Sequence, residues 1–136
     1  MKQTHNHLKY FEESELDSLE NRVIVDVKGA ATEEEVVTEY YNKLNLPIHS
    51  SNWDALDEGL GDCSWVAGDT IRLVNTGLPS MDDEELAIFV AILEGKSKFH
   101  GVGPTAEMEH PQRKIDFQVY FPESAREKIE ELMNRH

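Results

Sequence analysis

Three segments rich in β-branched and aromatic residues, separated by helical patterns, constrain this chain more than any other feature. They are RVIVDV at 22–27, DTIRLVNTG at 69–77 and KIDFQVYF at 114–121. Each reads as a strand, with Ile71 and Leu73 on one face of the second and Ile115, Phe117, Val119 and Phe121 alternating along the third. After the first, Thr32 and Glu35 have the spacing of a capping box, and Val36, Val37, Tyr40 and Leu44 recur at helical period. Pro47 stops that helix from continuing. A second helix follows, with Ser51 as its expected cap and Asp54 at the reciprocal position. Ser80 and Asp83 suggest the cap of a third, EELAIFVAILEG, which is apolar around most of its circumference and so expected to be buried. Gly95 is its expected stop. Ser124 and Glu127 suggest a terminal helix that turns Ile129, Leu132 and Met133 inward. Strands alternating with helices favour parallel pairing through helical crossovers. The expected fold is α/β: a small three-stranded parallel sheet flanked by helices.

A chain of 136 residues holds one domain with a real core. That domain is expected over residues 22–136. Residues 1–21 are mostly polar, with a short apolar cluster at Leu8, Tyr10 and Phe11, and read as a loose arm or peripheral helix. Residues 96–113 carry two glycines and two prolines and read as a long loop. The first twenty residues contain no apolar signal core, and no apolar run approaches a membrane span. A single cysteine, Cys63, excludes an internal disulfide and suits a reducing compartment. A cytoplasmic location is expected.

The formal net charge of −14 disfavours direct binding to nucleic acid or an anionic membrane, and favours a basic protein partner. Within LNLPIHSSNWDALDEGLGDCSW, residues 44–65, four acids stand with no basic residue beside them. At about 100° per residue, Leu56, Leu60 and Cys63 fall on one side of the second helix with Trp53, while Asp54, Asp57, Glu58 and Asp62 fall on the other. Two glycines, Gly59 and Gly61, weaken this helix by about 1 kcal/mol each. Asp54 and Glu58 are like charges at i, i+4, and the helix contains no base to pair with them. Gly59 lies on the apolar flank, where it permits close packing. One reading is a solvated face on an acidic protein. The other is a surface whose countercharges belong to a partner, since local rules are most often broken at functional sites.

The same stretch resembles the signature of the barstar family. Leu46-Pro47 ends the first helix, a short loop follows, Asn52-Trp53-Asp54-Ala55-Leu56 opens an acidic second helix, and Trp65 closes the segment. The similarity in element order runs from about Arg22 to Phe121. It implies an intracellular, immunity-type inhibitor whose second helix and preceding loop block the active site of a small basic ribonuclease, carboxylates standing in for RNA phosphates. Matched by position, Asn52 opens the helix and Asp54 is the first acid. Asp57 occupies the place of a family aromatic, and Glu58 that of the principal aspartate. The loop IHSS is one residue shorter than the family's and has His49 as its only ring. Asp83, with Glu84 one step away, takes the place of a further acid early in the later helix. The expected partner-binding set is therefore His49, Asn52, Asp54, Asp57, Glu58, Asp62 and Asp83.

The alternative is an adaptor or regulator of the same fold that binds some other basic protein. An enzyme would need a concave pocket with convergent polar groups, and Asp54 and Glu58 on one exposed helix supply none. No nucleophile elbow, phosphate loop or dinucleotide fingerprint is present. His5 and His7 are a metal-ligand pair without further ligands at matching spacing, so no catalytic residue, cofactor or metal is expected.

Overall fold

β-Branched residues place the first long strand at β2, Arg22–Val25. It pairs in parallel with β3, Thr70–Asn75, which pairs in parallel with β4, Asp116–Pro122. The computed structural model describes residues 8–48, 50–61, 68, 70–102 and 116–134. The sheet has four strands, not three. The additional one, β1 at Lys9–Phe11, lies within the segment expected to be an arm or peripheral helix, and pairs in parallel with β4. The order across the sheet is β1-β4-β3-β2. Leu8 and Phe11 are buried around this strand. A 3-10 helix, Glu13–Ser18, follows β1, and Arg22 binds it back through the carbonyls of Asp17 and Leu19, both at 3.2 Å.

The register fixes which face of the sheet is covered. Val23, Leu73 and Val119 align across three strands. They share their face with Val25, Ile71, Phe117 and Phe121, which form one core with residues from the helices. The helices are α1 at Glu33–Leu44, α2 at Trp53–Gly61, α3 at Asp83–Val102 and α4 at Arg126–Asn134. A hydrogen-bonded pair tethers α1 within this core. The buried Tyr40 hydroxyl donates to the Asn75 side-chain oxygen, and the Asn75 amide donates to the Tyr120 carbonyl at 3.3 Å. Burial pushes the Tyr40 phenol pKa upward, so it remains a donor.

Several helix boundaries differ from expectation. At α1, Thr32 Oγ1 accepts from Glu35 N as expected, but the return bond runs from Ala31 N to Glu35 Oε1, one residue earlier. Asp82, not Ser80, caps α3: its carboxylate accepts from Glu85 N at 2.9 Å. Ser80 instead ties its own amide to the Ala30 carbonyl. The helix α3 runs through Gly95 to Val102, because the buried Leu93 and Ser97 on either side keep the chain on the core. Residues 96–102 therefore belong to a helix, and the rest of the expected 96–113 loop lies outside the described residues. Ser124 lies inside a 3-10 turn, Glu123–Ala125, that leads into α4, where Ile129 and Leu132 are buried as expected. Arg126 holds Glu123 through two bonds of 2.7 and 3.0 Å and lies over the Tyr10 ring at 4.4 Å, joining α4 to β1.

Candidate protein-binding face

Asn52, rather than Ser51, starts α2. Its side-chain oxygen accepts from Ala55 N at 2.8 Å and its carbonyl accepts from Leu56 N. The next residue, Trp53, is fixed from two other helices. Its backbone N–H donates to Glu33 Oε2 of α1 at 2.7 Å, and its indole N–H donates to Glu85 Oε2 of α3 at 2.8 Å. Its ring packs against Phe89, with centroids 6.0 Å apart. Together with Ala55, Leu56, Gly59 and Leu60, Trp53 buries the inner side of the helix.

The two glycines have separate tertiary reasons. A Cβ on Gly59 would lie 2.6 Å from Ile48 Cγ2 and 3.4 Å from Leu46 Cβ, so the glycine admits the segment after α1 against the helix. A Cβ on Gly61 would lie 3.3 Å from Lys96 Nζ. That lysine crosses from α3 over the bare backbone and pairs with Asp57 at 3.2 Å. Asp57 is unpaired within its own helix, as the sequence suggests, but α3 supplies it with a cation.

Asp54 and Glu58 are exposed on the outer side of α2. They are one turn apart and thus present two carboxylates close together. Asp83 belongs elsewhere. It pairs with Lys128 of α4 at 2.8 Å, on the side of α3 away from Glu85, which faces α2. Its neighbour Glu84 is exposed on the outer side of α3. The structure therefore groups Asn52, Asp54, Asp57 and Glu58 and separates Asp83 from them. His49 and Asp62 lie outside the described residues, as do Cys63, Trp65, His5 and His7. The sequence reading missed Glu33, Glu85 and Lys96. All three act on α2 from other helices, so no signal within the α2 segment reports them.

Two cavities of about 490 Å³ open elsewhere. One is lined by residues such as Tyr10, Leu19, Tyr120 and Arg126, the other by Asp26, Glu34, Glu35 and Glu39. Neither includes a residue of α2. Among the described residues no helix is long and apolar enough to cross a membrane.

The family model described as "Barstar (barnase inhibitor)" matches residues 21–122. The chain belongs to the barstar family. Neither the curated proteins nor the solved structures supply a match. In this barstar-family chain the matched span holds β2 through β4 and the whole of α2, and stops short of β1 and α4. The family description names an inhibitor of barnase.

Proposed function

We propose that this chain is a cytoplasmic, immunity-type inhibitor of a small basic ribonuclease, the antitoxin of a toxin–antitoxin pair. The observation that carries the reading is the pair of exposed carboxylates, Asp54 and Glu58, on a helix whose inner side is buried. A nuclease that binds RNA phosphate presents Arg, Lys and His in a cleft. Two carboxylates on a helix held by Trp53, Leu56 and Leu60 would meet those cations without first having to be ordered, which lowers the entropic cost of association. In this reading Asp57 lies beside them, already paired with Lys96. Asn52 belongs to the same proposed surface, to which His49 and Asp62 are assigned by sequence alone, whereas Asp83, paired with Lys128, lies apart from it. The charge of −14 raises the rate of encounter with a basic partner.

The test is RNA cleavage by a small basic ribonuclease of the barnase type, with and without the chain, at low and moderate salt. Inhibition that weakens with salt is expected. The Asp54→Ala/Glu58→Ala double variant should lose inhibition while melting at the parent's temperature or slightly above it, because a repulsive i, i+4 pair has gone. A double variant that inhibits as well as the parent would refute the acidic-face mechanism. A chain that captures a basic protein without nuclease activity would favour the adaptor reading instead.

A further inference from the structure

Among the described residues only two large hydrophobic side chains are exposed, Tyr41 on α1 and Ile88 on α3, at 44% and 41%. Single exposed apolar residues are ordinary on protein surfaces. The position of Ile88 is what matters. Glu85 and Lys96 both reach α2, at Trp53 and Asp57. With Glu85 set at zero and about 100° per residue, Ile92 and Lys96 fall within about 20° of it, so this stripe of α3 faces α2. The core residues Leu86, Phe89, Val90 and Leu93 lie between about 40° and 140° on one side. Ile88 lies about 60° to the other side, followed outward by Gly95, Glu84 and Ala91 at about 80°, 100° and 120°.

The same construction on α2 sets Trp53 and Asp57 toward α3, with Asp54 and Glu58 next to them on the solvent side. The acidic pair and Ile88 thus border one interhelical seam from opposite banks, both facing outward. Packed helix axes are about 8–10 Å apart, and a specific interface covers about 800 Å² on each partner, so one partner would span both. Beyond Ile88 the outer stripe of α3 holds the small, uncharged Gly95 and Ala91, with Glu84 as its charged member. Charged groups on one bank and an apolar side chain on the other match the usual interface pattern, in which an apolar anchor is flanked by polar contacts.

We infer that Ile88 is an apolar anchor of the partner-binding face, seated in an apolar recess of a basic protein beside the cations that meet Asp54 and Glu58. This rests on the proposed reading of α2 and adds a requirement to it: the partner carries a recess next to its cationic cleft. Binding would then have two components. The acids act mainly on encounter rate and respond to salt, whereas Ile88 acts on dissociation and does not.

The experiment measures binding of a small basic ribonuclease of the barnase type to the parent and to the Ile88→Ala, Ile88→Asp, Tyr41→Ala and Asp54→Ala/Glu58→Ala variants, at low and moderate salt. Melting curves confirm that each variant is folded. The expected result is a loss of about tenfold for Ile88→Ala, through faster dissociation and in equal proportion at both salts, with a larger loss for Ile88→Asp and about no change for Tyr41→Ala. If the acidic double variant loses binding while both Ile88 variants stay within about twofold of the parent, Ile88 is not an anchor and the α2 reading stands. Equal losses for Ile88→Ala and Tyr41→Ala also overturn the assignment, because the effect is then not local to the seam. If the parent does not bind, or the acidic double variant binds as well as the parent, the α2 reading fails and the inference fails with it.

Discussion

The helices α1 and α2 are consecutive and obey different rules. α1 is locally built. Thr32 caps it, three glutamates occupy its first turn, Lys43 lies in its last, and Asn45 ends it in the left-handed region at φ 57°. α2 has its Asn52 cap and Asp54 in the first turn, and little else in its own sequence favours it. Glu33 of α1, Glu85 and Lys96 of α3, and the packing of Leu46 and Ile48 against Gly59 supply the rest. On the proposed reading the outer carboxylates of α2 are kept for a partner, so its support comes from other elements. The surrounding structure therefore holds it in place.

The sharpest way to break this contrast is the pair of glycines. Gly59→Ala should destabilise the fold by about 1–3 kcal/mol despite alanine's better helix propensity, because the new methyl meets Ile48. Chemical denaturation of both proteins measures it, and a stabilised Gly59→Ala would mean that α2 is governed by local propensity after all. Next in size are the two caps. Thr32→Ala and Asn52→Ala should each cost about 1 kcal/mol, but hydrogen exchange should show the Asn52 loss confined to the amides at the start of α2. Gly61→Ala should reverse the sign of Gly59→Ala and stabilise by up to about 1 kcal/mol, since only the flexible end of Lys96 must move aside. Lys96→Met should cost less than about 1 kcal/mol, with the cost shrinking as salt is raised, because Asp57 is half-exposed.

The last test touches neither helix. Burial, and then Glu130, raise the Tyr10 phenol from 10.0 to about 12. The folded pKa exceeds the unfolded one, so the neutral phenol's contribution is intact below about pH 10 and is lost as pH rises toward about 12. Tyr10→Phe should flatten that part of the alkaline unfolding curve.

The parts legible in the sequence are those specified by neighbours in the chain. RVIV, the Thr32 cap and the alternation of Phe117, Val119 and Phe121 each carry their own signal, whereas α1 ends at Asn45 before Pro47 is reached. What stayed hidden depends on residues far away. Asp57 looks unpaired because Lys96 reaches it from another helix. Gly95 looks like a stop until Leu93 and Ser97 are seen buried on either side of it. Asn52 and Asp82 displaced Ser51 and Ser80 as caps because all four can cap, and only the path of the chain selects among them. The site follows the same division. The segregation of Asp54 and Glu58 from the apolar side is a property of spacing, whereas the separation of Asp83 is set by Lys128 on α4.

The edge strand β1 has a consequence for the order in which this molecule is made. Lys9–Phe11 is translated well before β4, its strand partner among the described residues. Closing so long a loop carries an entropic cost that three residues of pairing repay only once α4 brings Arg126 onto Tyr10. During synthesis the central pair β2 and β3 is able to assemble while β1 waits. β1 thus pairs only after β4 is made, and a nascent chain halted before Asp116 would carry the acidic helix on a sheet with an open flank.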